Sequence, residues 1–147
     1  MENKEIRTKQ HKRAEFSLNI LKKIYPDMKV NEKVSTFIVG MPTMILSNGI
    51  GQTMAYLASR KEKPDRLITY QIIHTYISTN YKVFSDLLND NGITKPDFTE
   101  KDYEFLTRFT KCSQKEYIEI QEDVLRMIEW LKRYARAFSE IGSKTGD

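Results

Sequence analysis

The side chains in this chain that could carry acid–base, nucleophilic or metal chemistry are few and scattered. Its two histidines, His11 and His74, fall in different segments, and neither has a second histidine three or four residues on. The HExxH and ExxH spacings that place two ligands on one helical face are absent, as is any Cys/His metal spacing. Cys112 is the only cysteine, so neither an internal disulfide nor a thiolate cage is available. It also has no neighbouring histidine in sequence to take its proton. Glu116, Glu119, Glu122 and Asp123 could in principle pair as acid and base. They occupy the opening turns of a helical pattern, however, where the positive end of the macrodipole favours anions. Arg126, Lys132, Arg133 and Arg136 fill its second half, where cations are favoured. The dipole is a sufficient cause for this sorting. Gly49-Ile50-Gly51 lacks both the preceding strand and the GxxxxGK[ST] order of a phosphate loop, and reads as a bend or a point of close packing. His74, among isoleucines and tyrosines, reads as structural, and His11 as solvated. No catalytic residue, metal ligand or cofactor is assigned, and the expectation is a protein that is not an enzyme.

Binding chemistry remains. The formal net charge is +4 and the isoelectric point about 9.1, which suits a polyanionic partner without demanding one. Arg60, Lys61, Lys63 and Arg66 gather at one inter-helix corner, and Lys132, Arg133 and Arg136 on the last helix. Trp130, Tyr134 and Phe138 recur every four residues, a row that could stack bases but that core packing explains as readily.

These residues must be held by helices. With 147 residues the chain is the size of one domain, and six Gly and four Pro are too few for a loop-rich β protein of that length. Ala14, Leu18, Leu21 and Tyr25 share a face of a first helix over about 5–25, ended by Pro26-Asp27. Val34, Phe37, Ile38 and Met41 repeat at helical spacing until Pro42, where a kink or a fresh start is expected. Beyond it, Thr43, Ser47, Gly51, Ala55 and Ser59 recur every four residues. Such small residues admit close helix packing, either within the chain or, at Thr43, Ser47, Gly51 and Ala55, against another subunit. Pro64 and Asp65 open the next helix. Its stripe, Tyr70, Ile73, Ile77, Tyr81, Phe84 and Leu88, runs on to an Asn91-Gly92 stop. Thr99 with Asp102 marks another N-terminus, and Ser113-Gln114-Lys115-Glu116 is a capping box. It opens a final helix to about Phe138, with Tyr117, Val124, Ile128, Leu131, Ala135 and Phe138 buried. The expectation is all-α: a single compact domain over 1–147 of about five to six helices, ordered over about 5–140, with a short polar tail. One cysteine, no signal-peptide pattern and no long apolar run lead to the expectation of a cytoplasmic protein without a membrane partner.

Two stretches then resemble a known family. The segment from Met41-Pro42-Thr43 through Asn48-Gly49-Ile50-Gly51-Gln52 to Ala55-Tyr56-Leu57 is similar to its leucine/proline, asparagine-glycine, glutamine, alanine segment. Ile128-Glu129-Trp130-Leu131-Lys132-Arg133-Tyr134-Ala135-Arg136-Ala137 is similar to its C-terminal tryptophan-leucine-lysine-arginine helix. The family is the small subunit of type III-B CRISPR effector complexes, the Cmr complexes. The resemblance implies a role in antiviral defence. It implies subunits that stack on one another beside the backbone filament, along the groove holding guide and target RNA, and that meet the large polymerase-like subunit at one end. Cleavage then belongs to other subunits. Guide pairing reads sequence while the helical subunit supplies phosphate contacts and shape. Lys132 and Arg133 lie within the matching motif, whereas Arg60, Lys61, Lys63, Arg66 and Arg136 rest on charge clustering. The alternatives are a helical protein–protein adaptor that never meets RNA, or the equivalent small subunit of type III-A complexes. An enzyme would require Cys112, His74 or the acidic cluster to converge in a pocket.

Overall fold

The computed structural model describes residues 2–88 and 97–139, with side chains from Thr8 onward. Among them are seven α-helices and one 3-10 helix: α1 (Glu2–Ile24), α2 (Glu32–Val39), α3 (Met41–Asn48), α4 (Ile50–Ser59), α5 (Pro64–Asn80), the 3-10 helix (Lys82–Leu87), α6 (Glu100–Phe109) and α7 (Gln114–Ala137). The all-α class is as the sequence implies. The helices are shorter and more numerous than their periodicity suggests, for two reasons.

The first is glycine. Asn31 caps α2, its side chain accepting from the backbone of Lys33 and Val34. Gly40 ends α2 and at once opens α3, with Pro42 in the first turn as expected. A second break follows at Gly49, whose φ of 82° few side chains adopt. A Cβ there would also meet the Tyr117 hydroxyl at 2.7 Å. The segment read as kinked or restarted at Pro42 is therefore three helices, and Gly49-Ile50-Gly51, read as a bend or a point of close packing, is both.

The second is hydrogen bonding. The stripe from Tyr70 to Leu88 does not lie on one helix. Its α-helical part ends at Asn80, and a 3-10 helix carries Phe84 and Leu87 into the core. The Tyr81 hydroxyl donates to Asp123 Oδ2 at 2.7 Å, an anchor outside its own helix. The expected Asn91-Gly92 stop and the polar tail beyond Ser139 lie outside the described residues.

Both capping signatures hold. Thr99 accepts from Lys101 while Asp102 receives the Thr99 N–H, and Ser113 exchanges bonds with Glu116 in the same way. Helix α7 is the spine against which α1, α2, α3, α4 and α5 pack. It buries Ile120, Val124, Met127, Ile128, Leu131 and Ala135, whereas Tyr117 is half-buried and Phe138 is 39% exposed, contrary to expectation. Asp123 ties three helices together. It accepts from Arg13 Nε at 2.8 Å and from the hydroxyls of Tyr76 and Tyr81 at 2.7 Å each. An aromatic cluster holds α6: the Phe105 ring lies 4.2 Å from His74 and 5.2 Å from both Phe84 and Phe109.

Candidate nucleic-acid interface

The corner between α4 and α5 is a tight turn. The N–H groups of Arg60 and Lys61 donate to Leu57 and Ala58, and Lys63 N–H donates to the Arg60 carbonyl at 2.9 Å. The winding uses up backbone donors and turns Arg60, Lys61 and Lys63 outward, and all three are exposed. Lys61 Nζ sits 5.2 Å from the Phe98 ring centre, so its stem has a fixed direction. Arg66 differs from its neighbours. It is half-buried, lies 4.3 Å over the Phe37 ring and bonds Asp65 Oδ2 at 2.7 Å. That carboxylate holds its pKa above the ordinary value. Arg66 therefore offers only part of its charge to a partner.

On α7, Arg133 and Arg136 are exposed one turn apart, while Lys132 is half-buried and paired with Glu129 at 3.1 Å. The two sets are separated in sequence, yet both border one segment. The end of α7 is stitched to it by a short parallel bridge between Val30 and Ser139, with Val30 N–H donating to Phe138 at 2.9 Å. On its other side, Tyr25, Asn31, Lys33 and Val34 face Lys63, Pro64, Asp65, Arg66 and Ile68 across an open cleft. Lys29 and Lys33 of this segment are themselves exposed. Exposed Asp27, Glu32 and Glu62 temper the cationic surface without cancelling it. Sequence reading missed Lys29 and Lys33. Their charge was visible, but no periodicity placed the loop that carries them.

The aromatic row is divided. Trp130 and Tyr134 stack on each other at 6.0 Å, both half-buried, and the Trp130 indole N–H donates to Gln10 at 3.0 Å. That indole is committed within the chain. Among the small residues, Thr43, Ser47 and Ala55 are exposed, but Gly49 divides them between two helices. Gly51 turns inward, where a Cβ would lie 3.3 Å from Tyr117 and 3.6 Å from Phe109. The first two border exposed Leu46.

The side chains with catalytic potential stand apart. His74 is buried, and Nε2 bonds the Leu87 carbonyl at 3.0 Å. A carbonyl only accepts, so Nε2 carries the proton. Burial lowers the His74 pKa, and the Asp102 carboxylate, 3.6 Å from Nδ1, only partly offsets this. Burial also pushes the Cys112 thiol up, away from the reactive thiolate. Of the acidic cluster, Glu116 is a cap and Asp123 a structural anchor. Among the described residues, no group of three or more His, Cys, Asp or Glu side chains could hold a metal ion, and no helix is long and apolar enough to cross a membrane.

No solved structure matches the chain. The family model described as "CRISPR-associated protein (Cas_Cmr5)" matches residues 9–138. That range spans α2 to α7, most of α1, and both basic sets. The helical architecture and the agreement along most of the sequence lead to one assignment: this chain belongs to the Cmr5 family of CRISPR-associated proteins, as a small subunit of the type III-B kind.

Proposed function

We propose that this chain is a non-catalytic small subunit of a type III-B RNA-guided effector complex, working inside the cell in antiviral defence. It lies along the groove of guide and target RNA, stabilises the assembly and holds the target strand by its phosphates. The observation that carries this reading is the junction of two basic sets. Arg60, Lys61 and Lys63 on one side and Arg133 and Arg136 on the other border the same segment, which adds Lys29 and Lys33. Cations carried on one segment and on the two elements it joins suit a phosphate backbone better than two unrelated patches. Its neighbours in the complex are the backbone and large polymerase-like subunits and further copies of itself. Thr43 and Ser47, beside Leu46 at 69% exposure, and Ala55 on the next helix are the residues for such a protein contact. That apolar edge also favours the second reading, an adaptor that touches protein alone.

The test is a salt titration of target-RNA binding by the assembled complex, with Lys132, Arg133 and Arg136 all changed to Gln. Each phosphate of a single strand that the protein no longer neutralises lowers the slope of log K against log salt by about 0.7. The pairing of Lys132 with Glu129 makes Arg133 and Arg136 the main contributors, so the slope should fall by roughly twice that amount. An unchanged slope, with the complex intact, would leave the adaptor reading standing.

A further inference from the structure

Lys29 stands on a stretch of chain between α1 and α2 that belongs to neither helix, so something other than helical hydrogen bonding must fix its course. Three bonds do so. Met28 N–H donates to the Tyr25 carbonyl at 2.7 Å and closes a turn over Pro26 and Asp27. Lys29 N–H donates to Asp27 Oδ1 at 3.1 Å. Val30 N–H donates to the Phe138 carbonyl, at the end of α7, at 2.9 Å. The backbone donors on either side of Lys29, and its own, are therefore all engaged.

Met28 makes this path possible. Its φ of 56° is the only positive φ outside glycine among the described residues. A residue with a Cβ is strained there, and glycine or asparagine would fit with less strain. Methionine supplies what those two lack, a half-buried side chain that packs on the hydrophobic core. Val30, two residues on, is fully buried. Lys29 is thus held between two residues anchored in the core, and is itself exposed. Backbone strain of this kind persists only where the surroundings over-determine it.

We propose that Met28 is a positioning residue, which holds Lys29 as a preset phosphate contact at the end of α7 that carries Arg133 and Arg136. The bridge between Val30 and Ser139 lies one residue from Lys29 in sequence and three from Arg136. The inference rests on the RNA contact proposed above and deepens it by naming what organises the cations before RNA arrives. A lysine on a loosely held loop loses backbone freedom when it binds. Here folding has already removed that freedom, so more of the attraction to phosphate appears as affinity.

Target-RNA binding by the assembled complex, reconstituted with Lys29→Gln, Met28→Gly and the double variant, tests it. Lys29→Gln should lower the salt slope by about 0.7, the share of one phosphate on a single strand. Met28→Gly, with Lys29 in place, should weaken binding about threefold to tenfold. In the Lys29→Gln background the same change should have no further effect, because Met28 acts through Lys29. A merely structural residue would weaken binding equally in both backgrounds, and that result overturns the proposal. Full affinity in Met28→Gly overturns it too. Met28→Asn accepts the left-handed region but gives up the core contact, so its affinity should fall between wild type and Met28→Gly; the same cycle is run with it if the glycine variant does not fold. Wild-type binding by Lys29→Gln removes the contact that Met28 is said to hold, and the proposal with it. The titration of Arg133 and Arg136 judges the RNA reading separately: a fall in slope there, with no effect at Lys29 or Met28, defeats this inference alone.

Discussion

His74 shows how one side chain can look functional in sequence and prove structural in place. It sits in a closed set of partners: Leu87 accepts from Nε2 at 3.0 Å, the Phe105 ring lies 4.2 Å away, and Asp102 faces Nδ1 at 3.6 Å. Asp102 is itself engaged by the Tyr70 hydroxyl at 2.9 Å and by the Thr99 N–H at 3.0 Å. With the carboxylate occupied in this way and the ring buried, the imidazole is held neutral. The pKa is lowered on folding, chiefly by burial, with Lys101 acting in the same direction and Asp102 and the Leu87 carbonyl against it. The unfolded chain therefore takes up a proton near the ordinary value of 6.5 that the folded chain refuses. Stability from this group is present above that pH and declines as pH falls below it. Chemical denaturation at pH 7 and at mildly acidic pH should show a loss in the wild type. His74→Gln, which retains a donor for Leu87, should lower stability at pH 7 and reduce that loss. An equal loss in the variant would assign the acid sensitivity to other groups.

At the level of the element, α4 is held by another helix rather than by its own sequence. Its N-cap residue Gly49 provides no side chain, and two of the orphan N–H groups are capped from α7. Ile50 N–H donates to Gln121 Oε1 and Gly51 N–H to the Tyr117 hydroxyl, each at 2.9 Å. Tyr117 and Gln121 are four apart, on one face of α7. Tyr117→Phe leaves the Gly51 donor without its acceptor and should cost about 1–2 kcal/mol. Gly49→Ala adds both an unfavourable φ and a Cβ at 2.7 Å from the Tyr117 hydroxyl, and should cost more than Tyr117→Phe, about 2–4 kcal/mol. Urea denaturation of both variants checks the order. If Tyr117→Phe proves neutral, the cap is geometric only.

For the whole molecule, Asp123 is the point where α1, α5 and α7 meet. Its acceptors satisfy Arg13, Tyr76 and Tyr81 together, and burial followed by the Asp123 hydrogen bond keeps both tyrosines protonated well above their ordinary range. Asp123→Ala strands an arginine and two hydroxyls that are mostly covered. A cost of about 2–4 kcal/mol is expected, reduced from that of a fully buried pair because both ions keep some solvent contact. In a double-mutant cycle, Arg13→Met combined with Asp123→Ala should cost less than the sum of the two single changes. Strict additivity would mean that the ion pair does not couple α1 to the bundle. The same bundle keeps the 25–34 segment pressed between α7 and α5, so loosening it should also weaken RNA binding.

The sequence by itself determined the helical class, the capping box at Ser113–Glu116, the helix start at Thr99, the fresh helix start around Pro42 and the buried character of most of α7. These follow from local rules: the period of apolar residues, a cap three residues before its partner, and a ring that restricts φ. The family, too, was legible, in Met41–Leu57 and Ile128–Ala137. Tertiary structure alone decided the rest. The division of Tyr70–Leu88 at Asn80 accompanies the Tyr81 bond to Asp123 on α7. That Arg60–Lys63 and Arg133 with Arg136 border one segment depends on a loop that pairs Val30 with Ser139. Contacts between residues distant in sequence set these features, and hydrophobic periodicity records only which face of a helix turns inward, not which neighbour it meets there.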